Sequence, residues 1–198
     1  MSTELPPAAV LITHSVADFD RWKVGFDQHE SARRDAGAVG HHINRAEDDP
    51  NNVTVYLALT DVDRARAFAE SDDLAAQMGS FGVLPPVELR WMVPVREAIV
   101  WDRQLPAFLL HHRAADFDRW VAGYDAAAEL QAAKGIVGHA ANRSLDDPSV
   151  ISVYHQAESF DTLRSFLDDP GLKAAMEEAG VTSAPEISFH IGGWAKTY

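Results

Sequence analysis

Apolar and polar positions along the first half of the chain predict short strands separated by amphipathic helices. Residues 9–14 form an apolar run that ends at a histidine, as expected of a strand. Asp18 is expected to begin a helix, because its carboxylate can accept hydrogen bonds from the first turn, and Phe19, Trp22 and Phe26 recur at helical spacing. Further strands are predicted at 39–45, 53–59 and 87–93, and a second helix at Asp61 with a break near 71–73. The resulting order, βαββαβ, is ferredoxin-like.

The same pattern occurs a second time. The hexapeptide Ala-Asp-Phe-Asp-Arg-Trp stands at 17–22 and again at 115–120, 98 positions later. At this offset, roughly a third of the pairs from Ala9 to Val93 are identical. The corresponding elements of the second copy are predicted at 108–112, 116–134, 137–143, 151–157, 160–179 and 186–191. We therefore expect an α+β chain of two tandem units, 1–98 and 99–198, whose sheets pack together as an intramolecular, pseudo-dimeric α+β barrel.

Composition restricts the class of protein. Hydrophobic residues make up 46% of the chain and charged residues 24%, as in soluble globular proteins, and no apolar run approaches the roughly 20 residues of a membrane span. The first residues lack a signal-peptide pattern, which favours a cytoplasmic location. The absence of cysteine excludes disulfides and thiolate chemistry. A net charge of −13 without a basic cluster argues against nucleic acid as a partner, and we expect a monomer or a weak homo-oligomer.

Several short motifs carry a family resemblance. They are Asp18-Phe19-Asp20-Arg21-Trp22, Gly40-His41, Asp48-Asp49-Pro50 followed by Val55, and Arg66-Ala67-Phe68, with their second-copy counterparts. With these motifs the chain resembles the dimeric α+β barrel superfamily, near the antibiotic-biosynthesis monooxygenases and cyclase-like proteins. The resemblance implies one family unit per copy, so that a family dimer is fused here. The superfamily includes cofactor-independent oxygenases, cyclases, isomerases and haem proteins, and the resemblance therefore implies a fold more narrowly than a reaction.

Strand alternation sorts the polar residues onto two faces of the sheet. Because the resemblance implies a substrate site between sheet and helices, we assign the more apolar face to the helices. In the second unit this face holds His112, His139, His155 and Arg143, beneath Trp120 and Tyr124. An apolar pocket with a few polar groups is typical of small-molecule sites, and histidine suits general acid–base chemistry. The alternative is that these are buried histidines bonded to backbone or carboxylate groups.

The two copies differ mostly in polar residues on the strands. The second copy has His155, His190, His111 and Gln156 where the first has Leu57, Met92, Thr13 and Ala58. We therefore expect the working site in the second unit, with a larger and more polar cavity than the first. His14 and His41 are expected to be enclosed, with partners from their own unit.

The function that these features favour is a cofactor-independent monooxygenase or cyclase acting on an aromatic or polyketide-like molecule. His112, His139 or His155 would be the base, and Arg143 would stabilise an oxyanion. The candidate substrate-binding residues are Arg143, Trp120, Tyr124, Tyr154 and Asn142. We expect no organic cofactor and no metal, since no short histidine pair has metal-ligand spacing. The alternatives are a binding protein without turnover and a metal-dependent enzyme that uses the three histidines.

Overall fold

The computed structural model describes residues 5–198. In this part of the chain eight strands and eight helices follow the order βααββααβ twice. The first eight elements are β1 (Ala8–Val16), α1 (Phe19–Gln28), α2 (Glu30–Asp35), β2 (Ala38–Ala46), β3 (Asn52–Leu59), α3 (Val62–Ala69), α4 (Asp72–Ser80) and β4 (Val83–Ala98). The second eight are β5 (Leu105–Arg113), α5 (Phe117–Ala126), α6 (Ala128–Ala133), β6 (Ile136–Ser144), β7 (Val150–Ala157), α7 (Phe160–Leu167), α8 (Pro170–Glu178) and β8 (Glu186–Thr197).

Hydrogen bonds between strands run in the order β1-β3-β2-β8-β5-β7-β6-β4, and this order closes on itself. The first and third strands of each copy are antiparallel neighbours, and so are the second and third. Helices follow the first and third strands of each copy, as the ferredoxin-like order requires. The predicted α+β fold with the topology of a barrel is confirmed.

The compact units of the structure do not coincide with two consecutive halves of the chain. The first unit extends to Val93 and includes Gly193–Tyr198, and the second is Pro94–Gly192. Two long strands account for this, since β4 has 16 residues and β8 has 12, more than the predicted 87–93 and 186–191. The end of β8 belongs to the first unit, where the N–H of Tyr198 donates to the carbonyl oxygen of Val39 at 2.9 Å.

The long helix of each copy begins at an aspartate, as predicted. Asp18 accepts a hydrogen bond from the backbone N–H of Arg21 at 2.8 Å, and Asp116 accepts one from that of Arg119 at 3.0 Å. These bonds satisfy N–H groups that have no partner inside the helix. The repeated hexapeptide is therefore a helix start with a buried tryptophan one turn later.

Both long helices are interrupted, whereas the sequence predicts one uninterrupted helix from Asp18 and another at 116–134. The first breaks at His29, whose N–H is shared between the carbonyl oxygens of Gly25 and Phe26 at 3.2 and 3.3 Å. The second breaks at the equivalent Ala127. Shared N–H groups of this kind are common at helix ends. As a result α2 is a separate short helix, and it carries the buried Arg33.

Each unit packs its helices against its own sheet. In the first unit the buried cluster includes Trp22, Leu59 and Trp91. In the second unit one cluster is centred on Phe108 and Phe166, and another contains Trp120 with strand residues of β6 and β7. These clusters leave a cavity in each unit.

Glycine in the first helix of each copy permits a close approach. A Cβ atom at Gly25 would lie 2.1 Å from Cγ of Phe81, so the phenylalanine ring rests directly on the backbone of α1. In the second unit a Cβ at Gly123 would lie 2.7 Å from Cβ of Ala179, which occupies the equivalent place. The phenylalanine ring therefore forms part of the first cavity wall where the second unit has only a methyl group.

Candidate functional site

Each unit contains an apolar cavity, and the larger one is in the first unit. The volumes are about 120 Å³ in the first unit and about 60 Å³ in the second. The prediction of a larger cavity in the second unit is wrong, and cavity size therefore does not support the expected placement of the working site in that unit. Phe108 and Leu167 line the second cavity where the first has the smaller Val10 and Ala69, so the extra polar residues of the second copy come with larger apolar ones.

Two of the three predicted histidines, His112 and His155, line the cavity of the second unit. Their exposed fractions are 5% and 4%, and no ring nitrogen of either has a hydrogen-bond partner among residues 5–198. The ring of His112 lies 5.6 Å from that of Trp120, and the ring of His155 lies 5.0 Å from that of Phe108. Neither imidazole is bonded to backbone or carboxylate, so the alternative interpretation of satisfied core histidines does not describe them.

Burial determines the charge of these imidazoles. It lowers the pKa of His112 to about 4. It lowers the pKa of His155 to about 3, to which the nearby His139 contributes. Removal of water disfavours the charged form, so both rings are neutral at pH 7 and each keeps a nitrogen able to accept a proton.

The third histidine, His139, is connected to the cavity only by its contact with a tyrosine. It does not line the cavity, but its Nδ1 lies 3.0 Å from the hydroxyl of Tyr124, which does. Burial raises the pKa of Tyr124, so the phenol stays protonated and can donate to His139. The Tyr124 ring stacks on Trp120 with centroids 5.0 Å apart and lies 6.0 Å from His155. Tyrosine, tryptophan and two histidines thus form one aromatic wall.

Three of the predicted substrate-binding residues lie outside this cavity. Arg143 donates from Nε to the carbonyl oxygen of Pro148 at 2.9 Å, and its guanidinium carbon lies 4.2 Å from the centre of the Phe117 ring. Asn142 and Tyr154 have the strand parity opposite to His139 and His155, so they lie on the other face of the sheet. Of the predicted set, the structure brings together His112, His155, Trp120 and Tyr124, with His139 behind them.

The equivalent histidines of the first unit differ from each other. His14 is 5% exposed, has no hydrogen-bond partner on either ring nitrogen, and meets Trp22 edge-on with centroids 5.5 Å apart. The prediction that it has a partner from its own unit is wrong. His41 has a partner, since its Nδ1 lies 2.9 Å from the hydroxyl of Tyr198. This tyrosine lies outside the predicted first unit, 1–98, and belongs to the first compact unit only through the end of the chain. Burial lowers the pKa of both histidines to about 4.

One residue that the sequence analysis missed is Arg33. It lines the cavity of the first unit with an exposed fraction of only 6%. Strand alternation sorts only strand residues by face, whereas Arg33 lies on a helix. The second copy has Gln131 in the equivalent place, and that difference was the available signal.

Two wider properties concern the described residues as a group. Within residues 5–198 no three or more His, Asp or Glu side chains are grouped so that they could hold a metal ion. None of the helices in that range combines the length and apolar character needed to cross a membrane.

No protein-family model matches the chain, and no curated protein is significantly similar to it in sequence. Solved structures are similar over nearly its whole length. An anthrone oxidase-like protein has a TM-score of 0.71 at 12% identity, with 100% of this chain and 95% of that protein covered. The fold is that of a dimeric α+β barrel, here in a single chain.

Two further structures support this assignment of the fold. A protein from Lactobacillus acidophilus NCFM, provisionally named a monooxygenase, has a TM-score of 0.65 at 11% identity, with 97% and 96% of the two chains covered. A ferredoxin-fold protein from Listeria monocytogenes 4b F2365, related to antibiotic biosynthesis monooxygenases, has a TM-score of 0.57 at 7% identity, with 94% of each chain covered. The expected resemblance to antibiotic-biosynthesis monooxygenases is thereby confirmed for the fold.

Proposed function

We propose that the chain is a small-molecule enzyme of the monooxygenase type, which oxidises an aromatic carbon acid without a bound organic cofactor. The observation that carries the proposal is the pair of buried, unpartnered imidazoles of His112 and His155 on one apolar cavity. Buried polar groups are normally hydrogen-bonded, and a catalytic role is one of the recognised reasons for an exception. The likeness in fold to an anthrone oxidase-like protein supports the choice of substrate class.

The reaction begins with proton transfer. An anthrone-type substrate has a CH₂ group between aromatic rings, and its conjugate base is an aromatic enolate. We assign the base to His155, because its ring lies beside that of Tyr124. When His139 carries its proton on Nδ1 and donates to the phenol oxygen, the Tyr124 hydroxyl is free to donate to a developing oxyanion. The negative charge of the enolate favours the protonated imidazole and so offsets the burial that lowers the pKa of His155. The deprotonated carbon then gives two electrons to dioxygen and forms a C–O bond, and the peroxide anion takes the proton back from the His155 imidazolium to become a hydroperoxide. Loss of water from the hydroperoxide leaves a carbonyl, so that CH₂ and O₂ become C=O and H₂O.

Access to the cavity is part of the proposal, because about 60 Å³ holds only the reacting part of a ring system. Helix α8 supplies Leu172, Ala175 and Met176 to the wall, and none of its residues is buried. A helix with so little buried surface is the element whose displacement costs least. We expect α8 to shift when substrate enters.

The test is oxidation of anthrone by the purified chain, followed by quinone absorbance and by an oxygen electrode. His155→Leu places in the second unit the type of residue that the first unit has as Leu57, so the fold should tolerate it. We expect the rate to fall by about 10²- to 10⁴-fold, the usual contribution of a general base. His111→Gln, on the opposite face of the sheet, is the control and should retain full activity.

Other outcomes would replace the proposal. Binding of anthrone without oxygen uptake or product in the wild type would identify a binding protein. For a polyketide substrate, product formed without oxygen uptake would identify a cyclase, since cyclisation begins with the same proton abstraction. Equal rates for the wild type and His155→Leu would remove this histidine from the mechanism.

A further inference from the structure

Arg33 is a buried cation on the wall of the first-unit cavity. Its Nε donates to the Tyr198 hydroxyl at 2.7 Å, Nη1 donates to the carbonyl oxygen of Phe26, and the guanidinium carbon lies 3.6 Å from the centre of the Phe26 ring. The remaining nitrogen, Nη2, is buried and has no hydrogen-bond partner within residues 5–198. The carboxylate of Glu30, on the same helix, is instead bonded to Lys196.

A buried arginine that contacts no carboxylate directly is unusual, although the charge of Glu30 lies near enough to interact with it. Arginine does not lose its proton in proteins, so it cannot escape the cost of burial by becoming neutral, as the histidines nearby do. Burial of a charge is expensive unless the charge is paired and hydrogen-bonded. The contact with the Phe26 ring offsets part of that cost. The unused N–H groups of Nη2 still lack an acceptor, and an anionic ligand would supply one.

The space beside Arg33 has the size and lining for an aromatic ring. Its volume of about 120 Å³ is close to that of a cavity, about 150 Å³, known to take up benzene. The wall is mainly aromatic and aliphatic, with Trp22, Phe26, Phe68, Met78, Phe81 and Trp91. His14 adds a neutral imidazole with both nitrogens unpartnered. The cavity thus combines an apolar body with one fixed positive charge and one neutral polar group.

We propose that the cavity of the first unit is a binding site for a single-ring aromatic acid, such as a benzoate. The ionised oxygens accept from Nη2 of Arg33, and the ring packs among the aromatic side chains of the wall. His14 exchanges a hydrogen bond with a further polar substituent. This site is separate from the reaction proposed for the second unit, and neither depends on the other.

The second unit shows why the charge matters for specificity. Gln131 takes the place of Arg33 and is similarly buried, with an exposed fraction of 5%. It lines the second cavity, so the equivalent position there is polar but neutral. The two copies therefore present different chemistry at the same position of the fold. A glutamine is compatible with this helix, which makes Arg33→Gln a suitable test variant.

The experiment is isothermal titration calorimetry of the full chain with benzoate and with its neutral analogue, benzamide. The wild type should bind benzoate more tightly than benzamide. Arg33→Gln should weaken benzoate binding by about 10- to 100-fold, the range for a lost hydrogen bond to a charged group, and leave benzamide binding nearly unchanged. Ala69→Leu, which introduces the leucine found at 167 in the second unit, should weaken both ligands by filling the cavity.

Three results would overturn the proposal. They are no detectable binding of benzoate to the wild type, equal benzoate affinity in the wild type and Arg33→Gln, and benzoate binding unaffected by Ala69→Leu. Thermal unfolding of both variants shows whether they are folded. If either is not, His14→Phe is titrated with 4-hydroxybenzoate, whose hydroxyl supplies the further polar substituent, and it should bind this ligand less tightly than the wild type does; equal affinity would contradict the proposal. Anthrone oxidation involves the second unit, so loss or survival of that activity does not bear on benzoate binding.

Discussion

The hydroxyl of Tyr198 lies 2.9 Å from Nδ1 of His41, although 157 positions separate the two residues in the chain. The equivalent histidine of the second unit, His139, has a tyrosine hydroxyl at 3.0 Å, but it belongs to Tyr124 on the helix above. The first copy has Phe26 at that helix position and so cannot supply a hydroxyl there. The imidazoles at equivalent positions of the two units, His41 and His139, therefore contact tyrosines from unrelated places in the chain.

The first prediction concerns Tyr198→Phe. This change removes the hydroxyl that accepts from Arg33 and contacts His41, and it leaves a buried charge with one fewer acceptor. We expect the free energy of unfolding to fall by about 1–3 kcal/mol in urea titrations. Tyr124→Phe, which removes a single neutral hydrogen bond, should cost about 1 kcal/mol. An equal loss of unfolding free energy in both variants would show that the Tyr198 hydroxyl does not stabilise the buried charge of Arg33.

The second prediction concerns stability against pH. Burial lowers the pKa of His14 and His112 to about 4 and of His155 to about 3, below the ordinary value of about 6.5. Between these values the unfolded chain binds protons that the folded chain does not. The contribution of these neutral imidazoles to the free energy of unfolding is therefore fully present above pH 6.5. It is lost as the pH falls towards 4, by on the order of 3 kcal/mol per histidine.

Urea unfolding at several pH values between 7 and 5 measures this loss above the range in which carboxylates titrate. In His155→Leu the free energy of unfolding should fall less steeply as the pH is lowered, because up to one fewer proton is taken up on unfolding. His111→Gln, on the opposite face of the sheet, should leave the contribution of His155 unchanged. A pH dependence that is the same in the wild type and His155→Leu would mean that His155 is protonated equally in the folded and unfolded chains.

The third prediction concerns Gly25→Ala. The new methyl group would meet Phe81 at 2.1 Å, so the ring must move, at a cost of about 1–3 kcal/mol that exceeds the gain in helix propensity. Combination with Phe81→Ala removes the contact, and the melting temperature of the double variant should be higher than the sum of the two single changes predicts. Strict additivity of the two changes would indicate that the ring does not rest on this glycine.

Much of the fold could be predicted because the same sequence pattern occurs in both copies. The helix start at Asp18 and its repetition at Asp116 identify the same local structure, and strand alternation correctly gave His112 and His155 to one face. The lengths of β4 and β8 could not be predicted in this way. Their extensions are stabilised by strands distant in sequence, and no local pattern records such pairing.

The details of the site were less predictable. Cavity volume depends on the combined size of many side chains. The larger Phe108 in place of Val10 reduces the space in the second unit, whereas the gain of a histidine there does not enlarge it. Arg33 was missed because a charged residue on an amphipathic helix normally faces water. Its place on the helix nevertheless puts it on the face of Trp22 and Phe26, because positions 22, 26 and 33 follow helical spacing, so the pattern itself contained a signal for its burial.

The crossing of β8 into the first unit has a consequence for biosynthesis. Gly193–Tyr198 belongs to the first unit, yet Tyr198 is synthesised 165 residues after its partner Arg33. At ribosomal rates of about 5–20 residues per second, the first unit, whose continuous part ends at Val93, waits on the order of 5–20 s for its final segment. During that interval one edge of β2 has no strand beside it, so its backbone N–H and C=O groups on that side lack their final partners. The first half of the protein to be translated is thus the last to be completed.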